Sequence, residues 1–181
     1  MDICPKEKCT GCYACINACN HGCISMQEDD MGCVHPVVDE THCIHCNLCK
    51  SSCPNNIELE YSYPSKCIAA WIEDKNKRRI CASGGIGTCI SEYVIKQGGV
   101  VFGSRYDSEM TPIMSYTEDI EELEYFKGSR YVQSLVGEDT YKNVRKFLRK
   151  DRLVLFVGTP CQVAGLKSFL RKDYNNLITV D

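Results

Sequence analysis

Cys9, Cys12, Cys15 and Cys19 recur 34 positions later as Cys43, Cys46, Cys49 and Cys53, each set spaced C-x2-C-x2-C-x3-C. With 15 cysteines in 181 residues, three more at fixed offsets from any one have a chance probability of only about 0.0006 under independent placement. Residues 1 to 60 are therefore one supersecondary unit written twice. Two short halves, each carrying four thiols at helix-turn spacing, leave little room for an ordinary hydrophobic core.

Eleven of the fifteen cysteines fall within the first 53 residues. Such density in a short secreted chain would indicate disulfides, but Met1-Asp2-Ile3-Cys4-Pro5-Lys6 has no apolar signal-peptide core. A reducing, cytoplasmic setting with cysteines as metal ligands is the expectation. The longest apolar run, Leu153 to Val157, is far below the roughly 18 residues a membrane span needs. Residues 1 to 66 carry 4 basic and 9 acidic side chains and residues 67 to 181 carry 17 and 15. Neither part holds the concentrated basic surface of a nucleic-acid binder.

A compact loop with a thiolate at every third residue presents three of them to one cubic cluster, and the fourth cysteine, expected to begin a helix leading away, serves the other cluster. The spacing thus predicts one 4Fe-4S cluster on Cys9, Cys12, Cys15 and Cys53 and a second on Cys43, Cys46, Cys49 and Cys19. Zinc is the competing use of paired thiols, yet a zinc ribbon takes two pairs per metal and has no place for a third cysteine and an x3 partner. Cys4, Cys23 and Cys33 are expected as free thiols packed near the clusters, and His45 as a solvated loop residue.

This stretch resembles the bacterial two-cluster ferredoxins. The second copy keeps a proline, Pro54, after its last cysteine, whereas the first has Asn20 there. Proline sets φ for a helix start and ligates nothing, so the difference bears on local geometry.

Between the copies, Ile24-Ser25-Met26 and Val34 to Val38 flank an acidic turn, Glu28 to Gly32, and read as a hairpin. Beyond residue 66 the pattern changes. Lys66 to Glu73 is predicted as a strand, Asp74 to Arg79 as a charged turn, Ile86 to Gln97 as a helix stopped by Gly98-Gly99, and Glu118 to Tyr125 as a short acidic helix. Val100-Val101-Phe102, Ile113 to Tyr116, Leu153 to Val157 and Leu177 to Val180 are predicted strands. Glu138 to Lys150 reads as an amphipathic helix with Tyr141, Val144, Phe147 and Leu148 on one face, and Cys161 to Leu170 as another helix. Strand, helix, strand at this spacing implies a crossover in a parallel or mixed sheet. A final strand with no covering helix after it is what a longer domain, apparently truncated at Asp181, would leave.

Two segments carry further chemistry. Ser83-Gly84-Gly85-Ile86-Gly87-Thr88 opens a helix, and a glycine-rich helix N-terminus offers free N–H groups to phosphate, or else is a plain turn. In Val157-Gly158-Thr159-Pro160-Cys161-Gln162, Thr159 suits the N-cap and Pro160 the first helical position. Cys161 then sits in the first turn, where thiolates are stabilised, although buried structural cysteines also occupy such turns.

These segments, with Lys127-Gly128-Ser129-Arg130-Tyr131-Val132-Gln133-Ser134 and Val154 to Leu166, resemble the successive blocks of the coenzyme F420 hydrogenase/dehydrogenase beta-subunit family, many of whose members carry an N-terminal dicluster ferredoxin. The resemblance implies an α+β dicluster ferredoxin domain at residues 1–62 followed at 63–181 by part of an α/β, mixed-sheet flavoprotein domain. It implies FAD beside the clusters, with Ser83, Gly84, Gly85, Thr88, Gly128, Ser129, Arg130 and Tyr131 around the flavin and Cys161 as a redox-active or cluster-linked catalytic thiol. Implied partners are a redox protein or subunit and a hydride donor such as reduced F420. The alternatives are a ferredoxin-dependent reductase of another substrate, a pure electron-transfer module without flavin, and a zinc-stabilised interaction protein.

Overall fold

The structure, a computed structural model, describes residues 1–58 and 63–181. Its elements run in order α1 (Ala14–Ala18), β1 (Ile24–Glu28), β2 (Val34–Val38), α2 (Leu48–Ser51), α3 (Lys75–Arg79), α4 (Ile86–Lys96), β3 (Val100–Tyr106), β4 (Pro112–Thr117), α5 (Thr140–Leu148), β5 (Val154–Val157), α6 (Pro160–Leu170) and β6 (Leu177–Val180), with short 3-10 turns between. No described helix is long and apolar enough to cross a membrane.

The chain forms two compact units and passes between them several times. The first comprises Met1–Leu59, Val136–Arg145 and Thr159–Asp173; the second comprises Glu60–Leu135, Lys146–Gly158 and Tyr174–Asp181. The expected boundary after residue 62 lies outside the described residues. What consecutive blocks do not anticipate is the return of two later segments to the first unit. The physical reason is hydrogen bonding: Asn17, 1% exposed, donates to the Gly137 carbonyl at 3.0 Å and accepts from the Tyr141 N–H at 2.9 Å.

In the first unit β1 and β2 form the expected antiparallel hairpin, with Ile24 opposite Val38 and Met26 opposite Pro36. Asp29 builds its turn, taking the N–H groups of Met31 and Cys33 at 3.0 Å on Oδ1 and the His35 ring on Oδ2. α6 begins as expected, with Thr159 at the N-cap, Pro160 next, and the Thr159 N–H donating to Gln162 Oε1 at 3.0 Å in a capping box. At its other end Arg171 donates to Ser51 Oγ at 2.6 Å and Ser52 Oγ at 3.1 Å, fixing α6 to the end of α2.

The second unit is built on a four-stranded mixed sheet in the order β4-β3-β5-β6, with β3 antiparallel to β4 and the other neighbours parallel. The register sets Val101 opposite Leu155 and Phe102 opposite Phe156. Alternation then splits each apolar run between two faces. Val101 and Leu155 pack with Val94 and Leu123, while Phe102 packs with Tyr116, Phe147 and Phe156 at centroid distances of 5.1 to 6.4 Å. Burial on both faces explains why these strands read as unbroken hydrophobic runs.

Three expectations are corrected. Lys66 to Glu73 is irregular rather than a strand, since Ile68 and Trp71 are exposed and only Ile72 is buried. Asp74 to Arg79 holds the helix α3 rather than a turn, because the Asp74 carboxylate caps the N–H groups of Asn76 and Lys77. The acidic helix at Glu118 to Tyr125 shrinks to a 3-10 turn, Glu122–Phe126.

Candidate metal centre

The sequence repeat is also a repeat of backbone conformation. Gly11 and Tyr13 in the first cysteine loop have φ of 61° and 63°, and His45 and Asn47, 34 residues on, have φ of 54° and 59°. Left-handed φ costs a bulky residue such as Tyr energy, and residues are held there mostly where function requires it. Alternating right- and left-handed residues turn successive N–H groups inward, as in anion-binding nests. Here they reach sulfur. The His45 N–H lies 3.5 Å from Cys43 Sγ, and the Cys12, Cys15 and Cys49 thiols receive the backbone N–H groups of Ala14, Ile16 and Lys50.

The sulfurs are grouped crosswise. Burial pushes the Cys12 thiol up to about 11, with Cys53, Cys161 and Cys9 adding to the effect. Cys15 is raised further, by burial and then by Cys12, Cys9 and Cys53. In the other set, burial raises Cys49, with Cys19 and Cys43 contributing. Thus Cys53 from the second copy stands with Cys9, Cys12 and Cys15, and Cys19 from the first stands with Cys43 and Cys49. One cavity is lined by Cys9, Cys12, Cys15 and Cys53 together with Cys4 and Gly11. Among the described residues no three His, Cys, Asp or Glu side chains gather as ligands of a single ion would; the fit to clusters rests on the crossed pairing and the inward N–H groups.

The two sets differ in exposure. Cys12, Cys15 and Cys53 are buried, whereas in the second set only Cys49 is, and Cys46 is exposed. Of the extra thiols, Cys4 shares the cavity with Cys53 and Cys9 and is pushed up to about 12, chiefly by burial. Cys23 is raised by burial and by Cys19 and Cys43, and Cys33 is exposed. His45 is an exposed loop residue. The fourth cysteines do not begin helices as expected: Cys19 ends α1, and Cys53 follows α2 and precedes only the 3-10 turn Pro54–Asn56. The Asn20 departure shows here, since without a proline no turn of helix follows Cys19.

Cys161 occupies the first turn of α6, its sulfur 3.1 Å from Thr159 Oγ1. Its thiol is near enough to Cys12 and Tyr141 to act on both electrostatically. A Cβ on Gly165 would stand 3.1 Å from Cys12 Sγ, a tight contact that glycine spares where α6 lies against this loop. Nothing in the local pattern singled out Gly165, Asn17 or the Tyr141 hydroxyl, because each has a partner more than a hundred residues away.

The predicted flavin residues sit on two separate elements of the second unit. Ser83 has φ 51° and Gly85 has φ 79° as N-cap of α4, with no side chain capping that helix. A Cβ on Gly84 would come within 2.7 Å of the Ala70 carbonyl, and one on Gly85 within 2.5 Å of Ile72, so both glycines already have a packing reason. Gly87 and Thr88 lie in the first turn, whose N–H groups are those a phosphate would use. Gly128 has φ 85°. The Arg130 guanidinium donates to the carbonyls of Tyr125, Phe126, Lys127 and Gly128 at 2.6 to 3.1 Å, and so organises its own loop. Ser129 and Tyr131 are exposed.

No curated protein matches the chain. Residues 8–57 match the family model described as a 4Fe-4S dicluster domain. With the crossed thiol sets, this similarity identifies the N-terminal part of the chain as an iron-sulfur electron-transfer domain of the ferredoxin kind.

Proposed function

We propose that this chain passes single electrons through two 4Fe-4S clusters as part of a flavin-dependent iron-sulfur oxidoreductase, with reduced coenzyme F420 or a similar hydride donor as its small-molecule substrate. The observation that supports it most is the crossed grouping of Cys53 with Cys9, Cys12 and Cys15. Cys9, Cys12, Cys15 and Cys53 hold one cluster and Cys43, Cys46, Cys49 and Cys19 the other, their charge met by the inward N–H groups. Cys161, beside Cys12, is the redox-relevant thiol of the second half of the chain. FAD, when bound, converts two-electron hydride chemistry into single electrons. The first-turn N–H groups of α4 and the Thr88 hydroxyl would take its phosphates, with Ser83, Gly84 and Gly85 shaping that turn and Arg130 holding the Gly128-Ser129-Arg130-Tyr131 loop in place.

One observation favours a pure electron-transfer module without flavin: Arg130 is spent on its own carbonyls, and Gly84 and Gly85 on packing. Anaerobic reconstitution of the full-length protein followed by FAD addition separates the readings. The proposal expects about eight iron and eight sulfide per chain, retained FAD, and bleaching of the cluster absorption by reduced F420. Clusters without retained FAD would leave the module reading; zinc in a colourless protein would overturn both.

A further inference from the structure

The cavity that gathers Cys9, Cys12, Cys15 and Cys53 holds a fifth thiol, Cys4. Cys4 lies outside the repeated motif, and the second copy has Val38 at the corresponding position. Its place beside Cys53 is built by the residues that follow Cys53. Asn56 Nδ2 donates to the Ile3 carbonyl at 2.8 Å and Asn55 Nδ2 to the Lys8 carbonyl at 2.7 Å. Ile3 is 5% exposed, and the Met1 amine is paired with Glu40. The segment carrying Cys4 is thus tied down on both sides of it, and its thiol lines one cavity with those of Cys53 and Cys9. Four thiolates saturate a four-iron cube, so a fifth within reach has no iron to bind while all four ligands are in place.

We propose that Cys4 is a reserve ligand of this cluster, binding the iron left open when the sulfur of Cys53 or Cys9 is lost. The inference rests on the two-cluster reading. The exchange is a ligand substitution without change of oxidation state. The Cys4 S–H bond breaks, an S–Fe bond forms at the iron that Cys53 has left, and the proton goes to the departing thiolate or, where that side chain is absent, to solvent.

The test compares the reconstituted full chain, Cys4→Ala, Cys53→Ala and Cys4→Ala/Cys53→Ala, by iron and sulfide content and by the electron paramagnetic resonance of the reduced clusters. Wild type, Cys4→Ala and Cys53→Ala should each hold about eight iron, with the Cys53→Ala signal shifted by the new ligand. The double variant should fall to about half. Loss of a cluster or formation of a three-iron cluster in Cys53→Ala alone would overturn the inference, as would full iron content in the double variant. Should Cys53→Ala not fold, Cys9→Ala with and without Cys4→Ala gives the same comparison. Wild type without clusters would instead overturn the reading on which the inference rests.

Discussion

The Tyr141 hydroxyl is shared between the carbonyls of Cys12, at 2.8 Å, and Gln162, at 3.0 Å. Tyr141 is fully buried, and its backbone N–H is held by Asn17. One side chain from α5 thereby fixes both a cluster loop and the first turns of α6.

Tyr141→Phe leaves two buried carbonyls short of a donor and should cost about 1–2 kcal/mol of stability. Asn17→Ala removes an acceptor and two donations, to Tyr13 and Gly137, and should cost about 2–3 kcal/mol. Because Asn17 holds the Tyr141 backbone N–H and so seats the same side chain whose hydroxyl the other variant removes, the double variant should lose less than the sum. Chemical denaturation of the four proteins checks this; strict additivity would mean that the two act separately.

The raised Cys12 and Cys15 thiols give the cluster-free protein an alkaline limit. Folded values above the unfolded range favour the protonated thiols, so their contribution to stability is complete below about pH 8.5. It is lost as pH rises through about 11 for Cys12. Cluster assembly must remove those protons, so reconstitution should release acid and go further at pH 8.5 than at pH 6.5. Proton release measured in weakly buffered solution tests this, and a pH-independent yield would contradict it.

Asp29 sets the acid limit of the hairpin. Hydrogen bonds from the Cys33 N–H first, then from Met31 and His35, with Lys6 nearby, draw its carboxyl down to about 2. A depressed carboxyl stabilises above its unfolded value and stops doing so as pH falls toward 2. Amide hydrogen exchange at Met31 and Cys33 should therefore quicken between pH 4 and 2. In Asp29→Ala, which has no acceptor for those N–H groups, it should be fast, and insensitive to pH beyond the ordinary chemistry of exchange, across that range.

Unequal exposure should make the clusters unequal in lability. Cys46 is exposed, while Cys12, Cys15 and Cys53 are buried and Gly165 of α6 lies against Cys12. Treatment with an iron chelator should remove about half the iron in a fast phase, leaving the cluster on Cys9, Cys12, Cys15 and Cys53. A single phase removing all iron would show that the difference in burial does not govern access.

Much of this architecture is legible in short-range pattern. The cysteine spacing carries the grouping of the thiols, and period-2 or unbroken apolar runs carry β3 to β6. Thr159-Pro160 carries the start of α6. The misreadings share a cause, which is that residue type does not report partners. Lys66 to Glu73 has strand-like residues but no neighbouring strand among the described residues, and Asp74 is a helix cap whose helix is only five residues long. The clasp of Asn17, Tyr141 and Gly165, and the return of α6 to the first unit, depend on contacts between residues more than a hundred apart. No local periodicity encodes them.

The most direct measurement of the central claim is the iron and sulfide content of the Cys19→Ala/Cys46→Ala double variant after anaerobic reconstitution. Crossed ligation puts both substitutions in one cluster, so about four iron and four sulfide should remain, with the spectrum of the cluster on Cys9, Cys12, Cys15 and Cys53. If each copy instead ligated its own cluster, the double variant would damage both and lose nearly all of its iron, and the crossed arrangement would be wrong.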